Sequence, residues 1–242
     1  MKCCRDHQGS AVPELLGGDG TVRTADRLST LHGVAMRYEE DHRRQTHDRI
    51  VENASYGLRQ KGAEGLSVVD LMKLAGLTHG GFYNHFESRA ALVSEAIAFA
   101  MDQTTGRWGK LANGKANGER FEALIADYLG PRHRDNPKHG CALPTLAVDV
   151  ARSSPSEQQA LASKLEKMID ALVALLPGEP GGQARQIATG AIATMVGSIV
   201  LSRAVGAGKL SDRILDAGRK TAGGRVRKHQ RKTIKAMRCK KS

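Results

Sequence analysis

Residues 66–86 read LSVVDLMKLAGLTHGGFYNHF, and the punctuation of this stretch decides the fold. Ser67 is placed to cap a helix, with Asp70 three residues on as its capping-box partner. Leu71, Leu74 and Ala75 follow at helical spacing as a core face, and Gly76 stops the helix. Thr78 then caps a second, short helix that carries Phe82 and Phe86 at i, i+4. On a helical wheel those two rings point inward, Gly80, Tyr83 and Asn84 lie on the far side, and His79 sits on the exposed first turn. A solvated helix face more often carries Lys and Glu, so an outward His/Tyr/Asn set suits a surface that reads something.

Working outward, Thr46 and Asp48 open an earlier helix with an Ile50, Val51, Ala54 and Leu58 stripe, ended by Gly62. Ser88 opens a later one through Leu92, Val93, Ala96 and Ile97 towards Leu111. A supporting helix followed by two short helices around an Ala75-Gly76-Leu77 turn is the plan of a helix-turn-helix DNA reader, here spanning 67–86. Downstream, helices are expected at 119–130, 142–152, 155–176, 183–206 and 211–222, bounded by Pro131, Ser153-Ser154-Pro155, Pro177 and Gly206/Gly208. No segment alternates convincingly as a strand. The fold class is therefore all-α, with an N-terminal three-helix reader and a larger helical body.

Segment 66–86 with its flanks resembles the tetracycline-repressor (TetR/AcrR) transcription regulators. The Ala75-Gly76-Leu77-Thr78 turn, the Phe82-Tyr83-Asn84-His85-Phe86 end and the following Ser88-Arg89 and Leu92 carry the likeness, which is strong over 44–104. Gly140-Cys141 to Leu146 and residues 183–220 resemble the effector-binding part of one subgroup more weakly, as the doubled Gly80-Gly81 resembles a subgroup variant. The resemblance implies a homodimer in which a small molecule in the helical body releases a palindromic operator, usually relieving repression. It implies base contacts from Thr78, His79, Gly80, Gly81 and Asn84, and phosphate contacts from Tyr83, His85 and Arg89, with the helix N-termini at Ser67 and Thr78 assisting. It also places a dimer seam on the last two long helices, where Gly190, Thr194 and Gly197 form a small-residue stripe.

Charge adds less than its total suggests. The 242 residues hold 37 Lys+Arg against 25 Asp+Glu, but the last twenty residues alone carry nine basic groups and no acid. Residues 36–100 are nearly balanced, so DNA binding by this reader rests on local placement of Arg43, Arg44, Arg49, Lys73 and Arg89. Residues 223–242 read as a basic disordered tail, and 1–35, with the Gly17-Gly18-Asp19-Gly20 breaker, as a flexible extension. The effector-binding and dimerisation domain is assigned to 105–222. Four scattered cysteines make no disulfide framework, which points to the cytoplasm, and no signal peptide is evident. The charge-free run 186–202 reads as a buried helix, too short for a ~30 Å hydrocarbon core, so no membrane partner is expected.

The same residues bear on competing chemistries. His79-Gly80-Gly81-Phe82 resembles an esterase oxyanion loop, but the chain has no Gly-x-Ser-x-Gly nucleophile segment. Asn113-Gly114-Lys115-Ala116 lacks the spacing of a phosphate loop. His133, His139 and Cys141 are a weak metal set without a second cluster, so no metal or other cofactor is expected and no enzyme activity. Cys141 alone is a candidate thiol sensor, the alternative being an inert core residue. The expected partners are double-stranded operator DNA, a small-molecule effector and a second copy of the chain. The alternative is a helical adaptor or non-specific DNA-binding protein that uses the basic tail.

Overall fold

Serine caps start three of the helices that frame the molecule. Ser67 starts α2 (Val68–Leu74), Ser88 starts α3 (Arg89–Ala112) by accepting from the Ala91 N–H at 3.1 Å, and Ser154 starts α7 (Pro155–Val173) in a second capping box with Glu157. The computed structural model describes residues 23–176 and 181–239, and among these every regular element is helical. The chain divides into two units, 1–44 and 45–242.

Helix α1 (Arg23–Lys61) opens in the first unit and closes in the second. It is longer than its expected start at Thr46. No proline interrupts 23–61, and the Gly17–Gly20 breaker, together with Cys3 and Cys4, lies outside the described residues. In the first unit Arg44 pairs with Asp41 at 3.2 Å, an exposed contact that engages one of the expected DNA-facing charges locally. Helix α1 ends where expected, at Gly62, whose φ of +80° favours glycine, with its N–H on the Leu58 carbonyl at 2.8 Å.

In the second unit, the reader packs on α3 through Ile50, Ala54, Leu58, Leu71, Phe82, Phe86 and Leu92, all buried. Truncating a buried phenylalanine of this kind to alanine costs about 3–5 kcal/mol. The body continues with α4 (Asn117–Tyr128), a short α5 (Pro131–Asp135), α6 (Leu143–Ala151), α7, α8 (Gly182–Ala204) and α9 (Lys209–Cys239). Pro131, expected as a helix limit, is also the first residue of α5, because proline is favoured in a first turn. The expected loop at Pro177 lies outside the described residues.

Helix α8 is long and apolar enough to span a membrane by length and composition. One side of it, Ala184, Ala188, Ala191, Met195 and Ile199, is instead buried in the core shared with α7 and α9. Helix α9 corrects the expectation of a disordered tail from 223. The apolar stripe of Leu215 and Ala222 continues to Val226, which is buried, and Arg227 reaches Glu122 on α4 at 2.9 Å. That anchorage carries the helix past 222 to Cys239, and 240–242 lie outside the described residues.

Candidate nucleic-acid interface

Local bonds set the geometry of the reader. The Ser67 N–H donates to Asp70 Oδ2 at 3.0 Å, and the Asp70 N–H donates back to Ser67 Oγ at 3.2 Å. The Ser67 hydroxyl also donates to Asp70 Oδ2 at 2.6 Å. These bonds from Ser67 hold the Asp70 carboxyl below its ordinary carboxylate range, and they commit the Ser67 hydroxyl to capping. Gly76 turns the chain at φ +72°, and the Leu77 N–H closes on the Met72 carbonyl at 3.0 Å.

The second element of the reader is a 3-10 helix, His79–Asn84, where a short α-helix was expected. Thr78 stands at its N-cap position with extended backbone but makes no side-chain cap bond. Two successive glycines disfavour an α-helix by about 1 kcal/mol each against alanine, and a six-residue element loses little by tightening. Phe82 is 1% exposed and the adjacent Tyr83 72%, so the inward and outward assignment of this helix holds. His47 on α1 stacks on Phe86 at 4.5 Å and donates from Nε2 to Glu95 on α3 at 2.7 Å, which ties α1, α3 and the segment after the 3-10 helix together around one ring. Thr78, His79, Gly80 and Asn84 are exposed beside Tyr83, while Gly81 and His85 are half-buried. The His85 ring lies 6.2 Å from His47 and 6.3 Å from Phe86, turned towards the core side.

Residues 50–96 match the family described as bacterial regulatory proteins, tetR family. That match takes in the helix-turn-helix and the helical turns on either side of it. It is similar to an uncharacterised HTH-type transcriptional regulator of Mycobacterium tuberculosis, 24% identical over 164 residues that cover 64% of this chain and 83% of the relative. In fold it is similar to a TetR transcriptional regulator from Chloroflexus aurantiacus, at a TM-score of 0.62 and 21% identity over 76% of this chain and 95% of that one. A TetR-family regulator from Cytophaga hutchinsonii superposes at a TM-score of 0.63 and 20% identity, covering 74% and 94%. Residues 50–96 thus match a tetR-type DNA-binding segment, set in a helical fold shared with these regulators.

Arg89, expected on phosphate, is engaged within this reader. Its Nε donates to the Leu66 carbonyl at 3.3 Å, and its Nη2 to the same carbonyl at 3.0 Å and to the Ala63 carbonyl. The side chain thus ties the first residue of α3 to the loop ahead of Ser67. That loop and the end of α1 are both bonded to α6: the Ala63 N–H donates to Asp149 Oδ2 at 2.8 Å, and the Thr145 hydroxyl donates to the Arg59 carbonyl at 3.0 Å. A continuous set of bonds therefore joins the reader to the helical body.

The His133/His139/Cys141 trio has a structural explanation. The Cys141 N–H donates to His133 Nε2 at 3.0 Å, so the ring's proton is on Nδ1, which donates to the Tyr128 carbonyl at 2.7 Å. Both ring nitrogens are occupied, leaving no lone pair for a metal. Burial pushes the His133 pKa down to about 4, so the ring is neutral near pH 7. Gly140 is required here, since a Cβ on it would overlap the His133 ring. Cys141 is fully buried, and burial pushes its thiol above the ordinary cysteine range despite lowering contacts from Tyr128, Leu143 and Thr104. The thiolate that a sensor would need is disfavoured in this state.

On α8, Gly190, Thr194 and Gly197 are half-buried. The Thr194 hydroxyl is turned back onto the Gly190 carbonyl at 2.8 Å, and a Cβ added to Gly197 would meet open space. The tight contact between α8 and α9 is elsewhere, at Gly218, where a Cβ would overlap Ser198 Oγ. Sequence reading missed Gly218, and it also missed Arg59, a buried arginine at the end of α1. Neither stands out by residue type alone.

Proposed function

We propose that the protein is a ligand-responsive repressor, acting in the cytoplasm as a homodimer that releases a palindromic operator when a small molecule binds the helical body. The observation that carries this reading is the bond set from the loop ahead of Ser67 through Arg89 to α3 and through Asp149 to α6. A displacement of α3 or α6 by a bound molecule cannot leave the reader loop untouched. Two readers across a two-fold axis address half-sites about one helical turn apart, ~34–36 Å.

In this reading His79 and Asn84 discriminate bases while Tyr83 positions the backbone. The outward stripe of α8, from Ala193 and Gly197 to the 57% exposed Leu201, supports the proposed seam. The test is a footprint with full-length protein on its own upstream DNA. A protected inverted repeat, with Asn84→Ala weakening the cognate site by ~1–3 kcal/mol and relaxing sequence preference, is the expected result. Uniform coating with no preferred site overturns the reading and favours non-specific binding.

A further inference from the structure

A cleft of about 400 Å³ opens between the end of α1, the middle of α3 and the turn at His139, in the size range of small-molecule sites. It is lined by Arg59, Gln103, Thr104, Arg107, Lys110 and His139, and no lining residue is acidic. Arg59 is 1% exposed, yet no carboxylate partner accompanies it among the described residues. Its guanidinium is held by neutral acceptors only: the Ser55 carbonyl at 3.1 Å, Ser55 Oγ at 3.2 Å, the Gly140 carbonyl at 2.7 Å and Gln103 Oε1 at 3.0 Å.

A buried, hydrogen-bonded cation without a counter-charge is unfavourable to keep. Tyr56 offers partial relief, with Arg59 at 5.2 Å and Lys138 at 5.4 Å from its ring centroid. Arg107 is only partly compensated. Asp127 stands 3.6 Å from its Nε, beyond hydrogen-bonding distance, and that buried Nε has no hydrogen-bond partner. The Arg107 Nη1 instead donates to the His139 carbonyl at 3.3 Å. The cleft therefore concentrates positive charge from three chain segments, and the field is felt locally: burial first, then Lys138, Arg59, Arg132 and Arg107, push the His139 pKa down.

We propose that this cleft is the effector site and that it takes a small organic carboxylate, whose charge is met by the guanidinium groups of Arg59 and Arg107. The planar guanidinium fork matches a carboxylate, and the walls leave room for an organic body. The proposal rests on the ligand-responsive reading above and gives it a chemical class. It also supplies the first link of a route to DNA, because the Arg59 backbone carbonyl is bonded to Thr145 on α6 and Arg59 lies four residues before Ala63.

The test uses binding alone, without DNA, so its failure is separable from failure of operator release. Full-length protein is titrated with 1-anilinonaphthalene-8-sulfonate, an anionic organic probe, and with its neutral counterpart N-phenyl-1-naphthylamine. Quenching of Trp108, the only tryptophan and the residue after Arg107, provides a second readout. Arg107→Met and Lys110→Gln should each weaken the anionic probe about tenfold, the loss of one partly desolvated ion pair, while the neutral probe is unaffected. Lys110 is exposed and Arg107 half-buried, so these variants avoid the folding role of the fully buried Arg59. Benzoate should displace the anionic probe where benzamide does not. Unchanged affinity in both variants, or equal binding of the two probes by the unmodified protein, overturns the proposal. Displacement by inorganic phosphate at lower concentration than benzoate overturns the carboxylate assignment.

Discussion

Arg89 and Leu66 are joined by two hydrogen bonds, from Nε at 3.3 Å and Nη2 at 3.0 Å, both onto the Leu66 backbone carbonyl. The residue that opens α3 thereby holds the residue that precedes the Ser67 cap. The side chain fixes where the reader begins, which is a positioning role.

Arg89→Ala should therefore lower the stability of the folded protein by about 1–3 kcal/mol, because carbonyls at Ala63 and Leu66 lose a charged donor. Operator and random DNA should both be bound more weakly. Arg89→Lys restores the charge but not the fork, so it should recover little. Urea melts decide the matter: a pure phosphate contact would leave the melt unchanged and reduce only the salt dependence of binding.

Gly80 is not required by the fold. A Cβ there meets nothing within 4 Å and its φ is not positive, so Gly80→Ala should leave the melting temperature unchanged or raise it. Operator affinity should nevertheless fall if the backbone approaches the bases closely at this point. A Gly80→Ala protein with full operator affinity would remove the reason for assigning Gly80 to the interface.

Two glycines on packed helices should separate subunit packing from assembly. Gly218→Ala forces a methyl onto Ser198 Oγ and should destabilise the subunit by about 1–3 kcal/mol. Gly197→Leu enters open space within the subunit, so its melt should change little. If α8 is the seam, Gly197→Leu should lower the dimer fraction in light scattering and weaken operator binding in step. A fully dimeric Gly197→Leu protein would place the seam elsewhere.

His133 makes stability depend on pH. Its folded pKa of about 4 lies below the ordinary 6.5, so between these values the unfolded chain binds more protons than the folded one. The contribution is fully present above pH 6.5 and is lost as pH falls towards 4, by up to ~3 kcal/mol at about 1.4 kcal/mol per pKa unit. Urea melts at pH 7 and pH 5 should show this loss. His133→Gln should be less stable at pH 7 and should show a flatter dependence on pH over the same range.

The 66–86 segment alone determined the helix-turn-helix, because its signals act over three or four residues. The Ser67/Asp70 box, the Gly76 turn and the Phe82/Tyr83 alternation of inward and outward faces are all local, and each is found as read. The same is true of the Gly62 stop and the Ser88 start. What depended on residues far apart in the chain was decided only in three dimensions. Arg89 reads as a free cation until the Ala63 and Leu66 carbonyls, more than twenty residues earlier, fold against it. Arg59 reads as an ordinary helix charge until Gly140, 81 residues later, closes over it. Basic residues 223–239 read as disordered because composition cannot show that Val226 has a buried place to go. Periodicity and caps encode local geometry directly, whereas the environment of a charge is set by whichever distant segments the core brings beside it.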